Sequence, residues 1–164
     1  MAEQVTNVVV AGLGGQGVLK ASDILAEAAF RAGLDVKKAE VHGMSQRGGS
    51  VTSDVRFGAD LSGASPMVPA GEADYLLVLS VDQTEVARPC LREGGVLISA
   101  DWIDENALPN KRSLNVAVLG ALSTYLGLDE ATWQTAVHAN LPAKLHEVND
   151  QAFALGREAA RKRA

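Results

Sequence analysis

The chain is poor in cysteine, in aromatic residues and in positive charge. Its 164 residues include one cysteine, Cys90, so a disulfide within one chain, a cysteine-ligated iron–sulfur cluster and a four-cysteine zinc site are all excluded. Aromatic residues make up 4%, which argues against stacking platforms for single-stranded nucleic acid. The net charge of −5, from 15 Lys and Arg against 20 Asp and Glu, argues against a dedicated nucleic-acid binder.

Long hydrophobic runs are also missing. No apolar run approaches the roughly 18–20 residues that a transmembrane helix needs. Residues 1–7 have neither the basic region nor the apolar region of a secretory signal. We therefore expect a cytoplasmic protein without a membrane partner. Hydrophobic residues at 47% and charged residues at 21% are typical of a globular protein, and the length predicts a single domain over residues 1–164.

Short β-branched runs alternate with helical periodicities along the chain, which predicts an α/β fold. Specifically, the order predicts a single Rossmann-like domain with a mostly parallel sheet, helices on both faces and a helical C-terminal part. The alternating residues 51–57 are typical of a strand with one wetter face and allow an edge position. Residues 58–72 predict a long loop. Strands are predicted at residues 7–11, 34–41, 51–57, 75–80 and 96–99, and helices at 18–32, 84–91, 116–126, 129–139 and 147–163.

The first predicted strand leads directly into a G-x-G-x-x-G motif formed by Gly12, Gly14 and Gly17. Glycines permit a tight strand-to-helix turn, and the N-terminus of the following helix offers free N–H groups to an anion. Glu40, near the end of the second strand, is placed where a dinucleotide-binding enzyme holds its ribose-binding acid. Dinucleotide binding and a tight packing turn without a ligand are both consistent with these residues.

A second glycine-containing segment, residues 40–50, is dense in hydrogen-bond donors. It follows a predicted strand, where α/β sheets place their sites, so a binding or interface loop is favoured over a merely solvated one. Arg47 is suited to bidentate pairing with a phosphate or carboxylate. His42 is suited to acid–base chemistry or to holding the loop. The donor side chains of this segment are His42, Ser45, Gln46, Arg47 and Ser50.

The remaining histidines and the cysteine are interpreted as structural. His138 and His146 are eight residues apart with no accompanying carboxylate at metal-ligand spacing, so no metal site is expected. Cys90 is interpreted as a packing thiol because no partner residue argues for a nucleophile.

Taken together, the two glycine-containing segments resemble a known family. Residues 8–18 followed by residues 40–51 are similar to the gamma-type domain of 2-oxoacid:ferredoxin (acceptor) oxidoreductases. The His-Gly-Met-Ser-Gln-Arg-Gly-Gly form of the second segment is most similar to indolepyruvate ferredoxin oxidoreductase beta subunits. The resemblance extends over essentially the whole chain and includes residues 65–72 and 115–122.

This resemblance implies a redox complex of which the chain is only a part. Members of the family use thiamine diphosphate to decarboxylate a 2-oxoacid oxidatively, with coenzyme A as co-substrate and ferredoxin or another acceptor as electron sink. The chain has no Gly-Asp-Gly stretch and only one cysteine. The resemblance therefore implies a subunit without its own cofactor, bound to a larger partner subunit that carries thiamine diphosphate, Mg²⁺ and [4Fe-4S] clusters.

The same resemblance suggests which residues face the partner or a substrate, while naming no catalytic residue on this chain. The candidate residues for a coenzyme A, substrate or partner interface are Gly14, Gly15, Gln16, Gly17, His42, Ser45, Gln46, Arg47, Gly48, Gly49 and Ser50. Two alternatives stay open at this point. One is an independent NAD(P)-binding Rossmann protein that uses the G-x-G-x-x-G motif and Glu40, and the other is a purely structural adaptor subunit.

Overall fold

The computed structural model describes residues 4–42 and 49–163. Short 3₁₀ turns, among them Val81–Gln83 and Lys111–Ser113, connect the longer elements. In chain order the strands and α-helices are β1 (Thr6–Leu13), α1 (Val18–Arg31), β2 (Asp35–His42), β3 (Ser50–Gly58), β4 (Ala73–Val78), α2 (Thr84–Ala87), β5 (Leu91–Ser99), α3 (Leu114–Ser123), α4 (Glu130–Asn140) and α5 (His146–Arg163).

The strands form one five-stranded sheet in the order β2-β3-β1-β4-β5. Strand β1 is parallel to β4, and β4 is parallel to β5. Strand β3 is antiparallel to both of its neighbours, β1 and β2, so it alone runs against the other four described strands. The prediction of a single α/β domain with a mostly parallel sheet is confirmed.

The position of β3 in the sheet differs from the one that the sequence suggested. It lies between β1 and β2, so the two strands flanking α1 are not neighbours, and the edge strands are β2 and β5. The suggested edge position for residues 51–57 is therefore wrong. Two polar residues of β3, the buried Asp54 and the half-buried Arg56, bind the backbone of the loop 59–72. Arg56 Nη1 donates to the Ser65 carbonyl at 2.7 Å, and the Val68 amide donates to Asp54 Oδ2 at 2.9 Å.

Helices cover the two faces of the sheet unequally. The longer helices α1, α3, α4 and α5 share one core with Val8 and Val10. Val9 and Leu76 lie on the other face, where Val68 of the loop, Ala87 of α2 and Cys90 pack against them. No helix of the described ranges is both long enough and apolar enough to cross a membrane.

Helix α3 is buried on all sides, which explains why its sequence is apolar nearly all round. It contacts β4 and β5 on one side and α5 on the other. The start of β5 was not predicted from the sequence. The strand begins at Leu91 and passes through Gly94, whose φ is 78°, with an irregular register against β4. The sequence predicts strand only over residues 96–99, because a glycine pair is typical of a turn, whereas the structure holds Gly94 within an irregular strand.

Burial raises the pKa of two groups on the face of the sheet against which Val68 of the loop 59–72 packs. It raises the pKa of Cys90 to about 11, with a smaller effect from the Asp54 charge, so this thiol stays protonated at neutral pH. Burial also raises the pKa of Asp54 above its ordinary value, although the Val68 amide and Arg56 act in the opposite direction. Cys90 therefore has the properties of a packing residue, as expected.

Replacing Asp54 by asparagine is expected to raise the melting temperature at pH 7. A carboxyl whose pKa is raised by folding favours the folded state when protonated, and that contribution is lost as the pH rises through the folded pKa. Asparagine removes the buried charge and keeps an oxygen that can accept from the Val68 amide. The gain should therefore disappear on acidification towards the ordinary carboxyl pKa of 3.8. Thermal unfolding of both proteins across this pH range measures it.

Asp60→Asn is the matched control because the pKa of Asp60 shifts the other way. Hydrogen bonds from Ser62 lower the pKa of this exposed carboxyl, so its contribution to stability is present at pH 7 and lost as the pH falls. Asp60→Asn should bring no gain at pH 7. A lower melting temperature for Asp54→Asn than for the unaltered chain at pH 7 would contradict the assigned sign.

Candidate functional site

The turn between β1 and α1 needs glycine at three positions for different physical reasons. At Gly12 a Cβ would lie 2.9 Å from Gln16 Oε1 and 2.9 Å from Val18 Cγ2, so the constraint is close packing. Gly15 has a φ of 88° and open space around it, so the constraint is the backbone conformation. Gly17 combines both, with a φ of 82° and a Cβ position 2.4 Å from Asn115 Nδ2.

Gln16 closes this turn with its own side chain. The Leu13 amide donates to Gln16 Oε1 at 2.7 Å, and the Gln16 amide donates back to the Leu13 carbonyl at 3.2 Å. The side-chain oxygen of Gln16 is therefore used to hold the turn. Among the predicted site residues, Gln16 thus has a structural contact that the sequence did not indicate.

Helix α1 begins at this turn without a capping side chain. Gly17 is its N-cap residue, and the Gly17 carbonyl accepts the first helical bond from the Ala21 amide at 2.9 Å. The first N–H groups of a helix have no partner within the helix. Together with the helix dipole they make this end attractive to an anion.

The structure brings the start of β3 directly beside the glycine turn. The Gly14 amide donates to the Gly49 carbonyl at 2.9 Å, and Ser50 pairs with Leu13 in the β1–β3 register. Ser50 Oγ donates to Gln83 Oε1 at 2.7 Å, so this hydroxyl already has a partner from the turn after β4. The two glycine-containing segments of the sequence therefore meet at one end of the sheet, where β1 ends and β3 begins.

Several of the predicted residues lie outside the described part of the chain. His42 ends β2, where it pairs with Val51 in the β2–β3 register. Residues 43–48 are not described, and this range includes the predicted site residues Ser45, Gln46, Arg47 and Gly48. Their assignment to the site stays a prediction.

Two cations that the sequence analysis missed complete the site. Gly15, Gln16, Gly17, Lys111, Arg112 and Leu114 line a cleft of about 500 Å³. Neither Lys111 nor Arg112 forms an ion pair with a described residue. The adjacent cations between Asn110 and the apolar helix are visible in the sequence, but only the fold shows that they face the glycine turn. We name this feature the glycine–cation cleft.

The glycine–cation cleft has the chemistry of an anion site. It combines backbone N–H groups at a helix N-terminus with an ammonium and a guanidinium group. Phosphate and carboxylate are the anions that such groups bind best, and arginine can contact either with two parallel hydrogen bonds.

Glu40 is not brought to the glycine turn. In the sheet register Glu40 pairs with Ser53 and Ser53 pairs with Val10, so Glu40 lies two strands away from β1. Its Oε1 accepts from Lys38 Nζ at 3.0 Å. A ribose-binding acid of a dinucleotide site follows a strand adjacent to β1. The geometry therefore does not support the NAD(P)-binding alternative.

The single cysteine of the chain cannot ligate an iron–sulfur cluster. Among the described residues no three His, Cys, Asp or Glu side chains are placed to hold a metal ion, and the sequence has one cysteine. The rings of His138 and His146 stack with centroids 3.9 Å apart. Nε2 of His138 lies 2.9 Å from Asp150 Oδ1, and Nε2 of His146 lies 2.8 Å from the Leu141 carbonyl.

Comparison with known proteins identifies the family. The family model described as "Pyruvate ferredoxin/flavodoxin oxidoreductase" matches residues 7–106. The indolepyruvate oxidoreductase subunit IorB of Thermococcus kodakarensis is 36% identical, with 94% of this chain and 96% of the relative covered. The IorB subunit of Methanothermobacter thermautotrophicus is 32% identical, with 94% and 97% covered.

Solved structures show the same fold. The gamma subunit of a keto/oxoacid ferredoxin oxidoreductase from Geobacter sulfurreducens has a TM-score of 0.80 and 26% identity, covering 97% of this chain and 98% of that one. The 2-oxoglutarate:ferredoxin oxidoreductase from Magnetococcus marinus has a TM-score of 0.77 at 20% identity, over 97% of this chain and 31% of that one. The expected resemblance is confirmed, and the chain belongs to the pyruvate ferredoxin/flavodoxin oxidoreductase family.

Proposed function

We propose that this chain is the small subunit of a 2-oxoacid:ferredoxin (acceptor) oxidoreductase that converts an aryl 2-oxoacid, such as indolepyruvate or phenylglyoxylate, to the acyl-CoA. One observation carries the proposal. The chain aligns over 94% of its length with a named indolepyruvate oxidoreductase subunit at 36% identity. A second relative with the same name, at 32% identity, supports the aryl substrate.

The resident cofactors are proposed to lie on a larger partner subunit. One cysteine cannot ligate a [4Fe-4S] cluster, and the described residues offer no metal-binding group. On that partner, thiamine diphosphate with Mg²⁺ supplies the decarboxylation chemistry, and the clusters accept the electrons. The role of this chain is then to bind and orient, not to carry the redox reaction.

The proposed binding surface of this chain lies at the end of the sheet where the two glycine-containing segments meet. Gly14–Gly17, His42 and residues 45–50 would face the partner subunit. Within this surface the glycine–cation cleft supplies positive charge through Lys111 and Arg112. Coenzyme A carries phosphate groups of the kind that such a cleft binds. A carboxylate of the partner subunit is the competing occupant, and the two are separated by experiment.

Removing the cations is expected to weaken the use of coenzyme A. In the assembled complex, Lys111→Ala with Arg112→Ala should raise the KM for coenzyme A by about tenfold or more, since hydrogen bonds to charged groups contribute about 1.5–3 kcal/mol. Arg47→Ala should act in the same direction. Steady-state kinetics give the KM, and analytical size-exclusion chromatography measures complex assembly separately.

The control for this experiment is Lys144→Ala with Lys162→Ala, which removes two exposed cations from the C-terminal helical part. The control should change neither the KM nor assembly. Loss of assembly in the cleft variants with an unchanged KM would assign the cleft to a partner carboxylate and favour the adaptor role. No change in either quantity, for the cation pair and for Arg47, would overturn the proposed role of this surface.

A further inference from the structure

We propose that Asn115 is a positioning residue, which holds the glycine turn and the basic turn at the spacing that the glycine–cation cleft requires. The inference rests on the proposed function of that cleft. Asn115 does not line the cleft itself. It lies behind the cleft in the first turn of α3, where it is 7% exposed.

The Asn115 side chain is held in one orientation by two hydrogen bonds. Its Nδ2 donates to the Gly17 carbonyl at 3.2 Å, and its Oδ1 accepts from the Val116 amide at 2.9 Å. A carbonyl can only accept and a backbone N–H can only donate, so each end of the amide has one possible identity. Asn115 thus fixes the direction of the Gly17 carbonyl from a position 98 residues away in the chain.

The same carbonyl is the starting point of helix α1. The Gly17 oxygen accepts both from Asn115 and from the Ala21 amide, which donates at 2.9 Å. A Cβ on Gly17 would lie 3.0 Å from Asn115 Cγ, so the two segments are in close contact. A shift of the Asn115 amide therefore shifts the N-terminal end of α1, whose N-cap residue Gly17 lines the cleft.

Asn115 is also connected to the basic side of the cleft, through its own segment of the chain. The turn Lys111–Ser113 leads into α3 without an intervening residue. Asn110 fixes the start of this turn, because its Oδ1 accepts from the Arg112 amide at 2.9 Å. One rigid segment therefore carries Lys111 and Arg112 at its beginning and Asn115 five residues after Asn110. Through Asn115 this segment is tied to Gly17.

The burial of a polar amide at Asn115 indicates that its hydrogen bonds are needed. A buried polar group is unfavourable unless it is hydrogen-bonded, and an apolar side chain would fill the same volume without that requirement. The amide brings a defined direction for the Gly17 carbonyl, which an apolar side chain cannot give. A contact of this kind is expected where geometry rather than packing is needed.

The test uses the assembled complex and two variants of Asn115. Asn115→Asp keeps the shape but replaces the donor to Gly17 with an oxygen, and Asn115→Ala removes the whole amide. Both should raise the KM for coenzyme A about tenfold or more, with a smaller change in kcat, because small misplacements in a binding site have effects of this size. Hydrogen exchange at the Ala21 amide should become faster in both.

Asn149→Ala is the matched control. Asn149 is 6% exposed, and its Nδ2 donates to the Leu145 carbonyl at 2.9 Å within the C-terminal helical part. This variant should lower the melting temperature to a similar degree and leave the KM unchanged. The inference is overturned if Asn115→Asp lowers only the melting temperature while the Lys111 and Arg112 variant raises the KM. If neither of these variants changes the KM, the proposed role of the cleft fails and the inference fails with it.

Discussion

Gly156→Ala is expected to destabilise the chain more than any other single change considered. Gly156 of α5 lies against α3, and a Cβ there would be 1.7 Å from the Ala117 carbonyl oxygen and 2.6 Å from its carbon. Both atoms belong to backbone, so no side chain can rotate away. Overpacking typically costs about 1–3 kcal/mol, and a clash with backbone belongs at or above the top of that range. The two helices would have to move apart.

Thermal unfolding measures this effect, with Gly127→Ala as the control. A loss of about 3 kcal/mol corresponds to a melting temperature lower by roughly 6–12 °C for a chain of this size. Gly127 has nothing within 4 Å of its Cβ position, so its replacement should stay within about 0.5 kcal/mol of the unaltered protein. A melting temperature for Gly156→Ala equal to that of Gly127→Ala would show that α3 and α5 are not packed as described.

Gly17→Ala is expected to have the largest effect on the proposed site. Alanine at a φ of 82° is strained, and its Cβ would lie 2.4 Å from Asn115 Nδ2. Asn115 would have to leave its hydrogen bond with the Gly17 carbonyl, and the start of α1 would move with it. A displacement of this kind should raise the KM for coenzyme A of the complex by about 10- to 100-fold.

Gly63→Ala is the control for Gly17→Ala, because it introduces the same backbone strain without the steric clash. Gly63 has a φ of 75°, nothing within 4 Å of its Cβ position, and a place in the loop 59–72 away from the cleft. Its replacement should cost about 1–2 kcal/mol of stability, as the strain at Gly17 does. The KM for coenzyme A should stay unchanged in this variant. Equal KM values for the Gly17 and Gly63 variants would contradict the assignment of the glycine turn to the site.

Local sequence patterns predicted most elements of this fold because their causes are local. The β-branched run 7–11 lies within β1, and the helical period starting at Val18 coincides with the start of α1. The helix predicted over residues 116–126 overlaps α3, which is buried on all sides. The helix predicted over residues 147–163 is α5 to within one residue.

Strand order could not be predicted in the same way, because it depends on pairing between distant residues. The alternation in β3 was interpreted as exposure to water on one side. Asp54 and Arg56 both bind the backbone of the loop 59–72, and Asp54 is buried beneath it. Polar residues beneath a loop and polar residues in water have the same sequence pattern, so only the fold distinguishes them.

The candidate site could be predicted only in part, because some of its residues are distant from one another in the sequence. The glycine turn is a continuous motif, so Gly12, Gly14 and Gly17 could be recognised without the fold. Lys111 and Arg112 follow about a hundred residues later and show no spacing relation to it. Gly120 and Gly156 were overlooked because glycine within a helix has no signature of its own until the facing backbone is known. A Cβ on Gly120 would lie 2.1 Å from the Phe153 carbonyl oxygen.

We expect this chain to work only as part of a larger redox complex. Indolepyruvate-dependent reduction of ferredoxin, with coenzyme A present, should be measured for this chain alone, for the larger subunit alone and for the two together. We predict turnover only for the combination, which should also elute as one species in size-exclusion chromatography. Turnover by this chain alone would contradict this expectation. Tight binding of NAD(H) to this chain in a calorimetric titration, unaffected by the larger subunit, would contradict it as well.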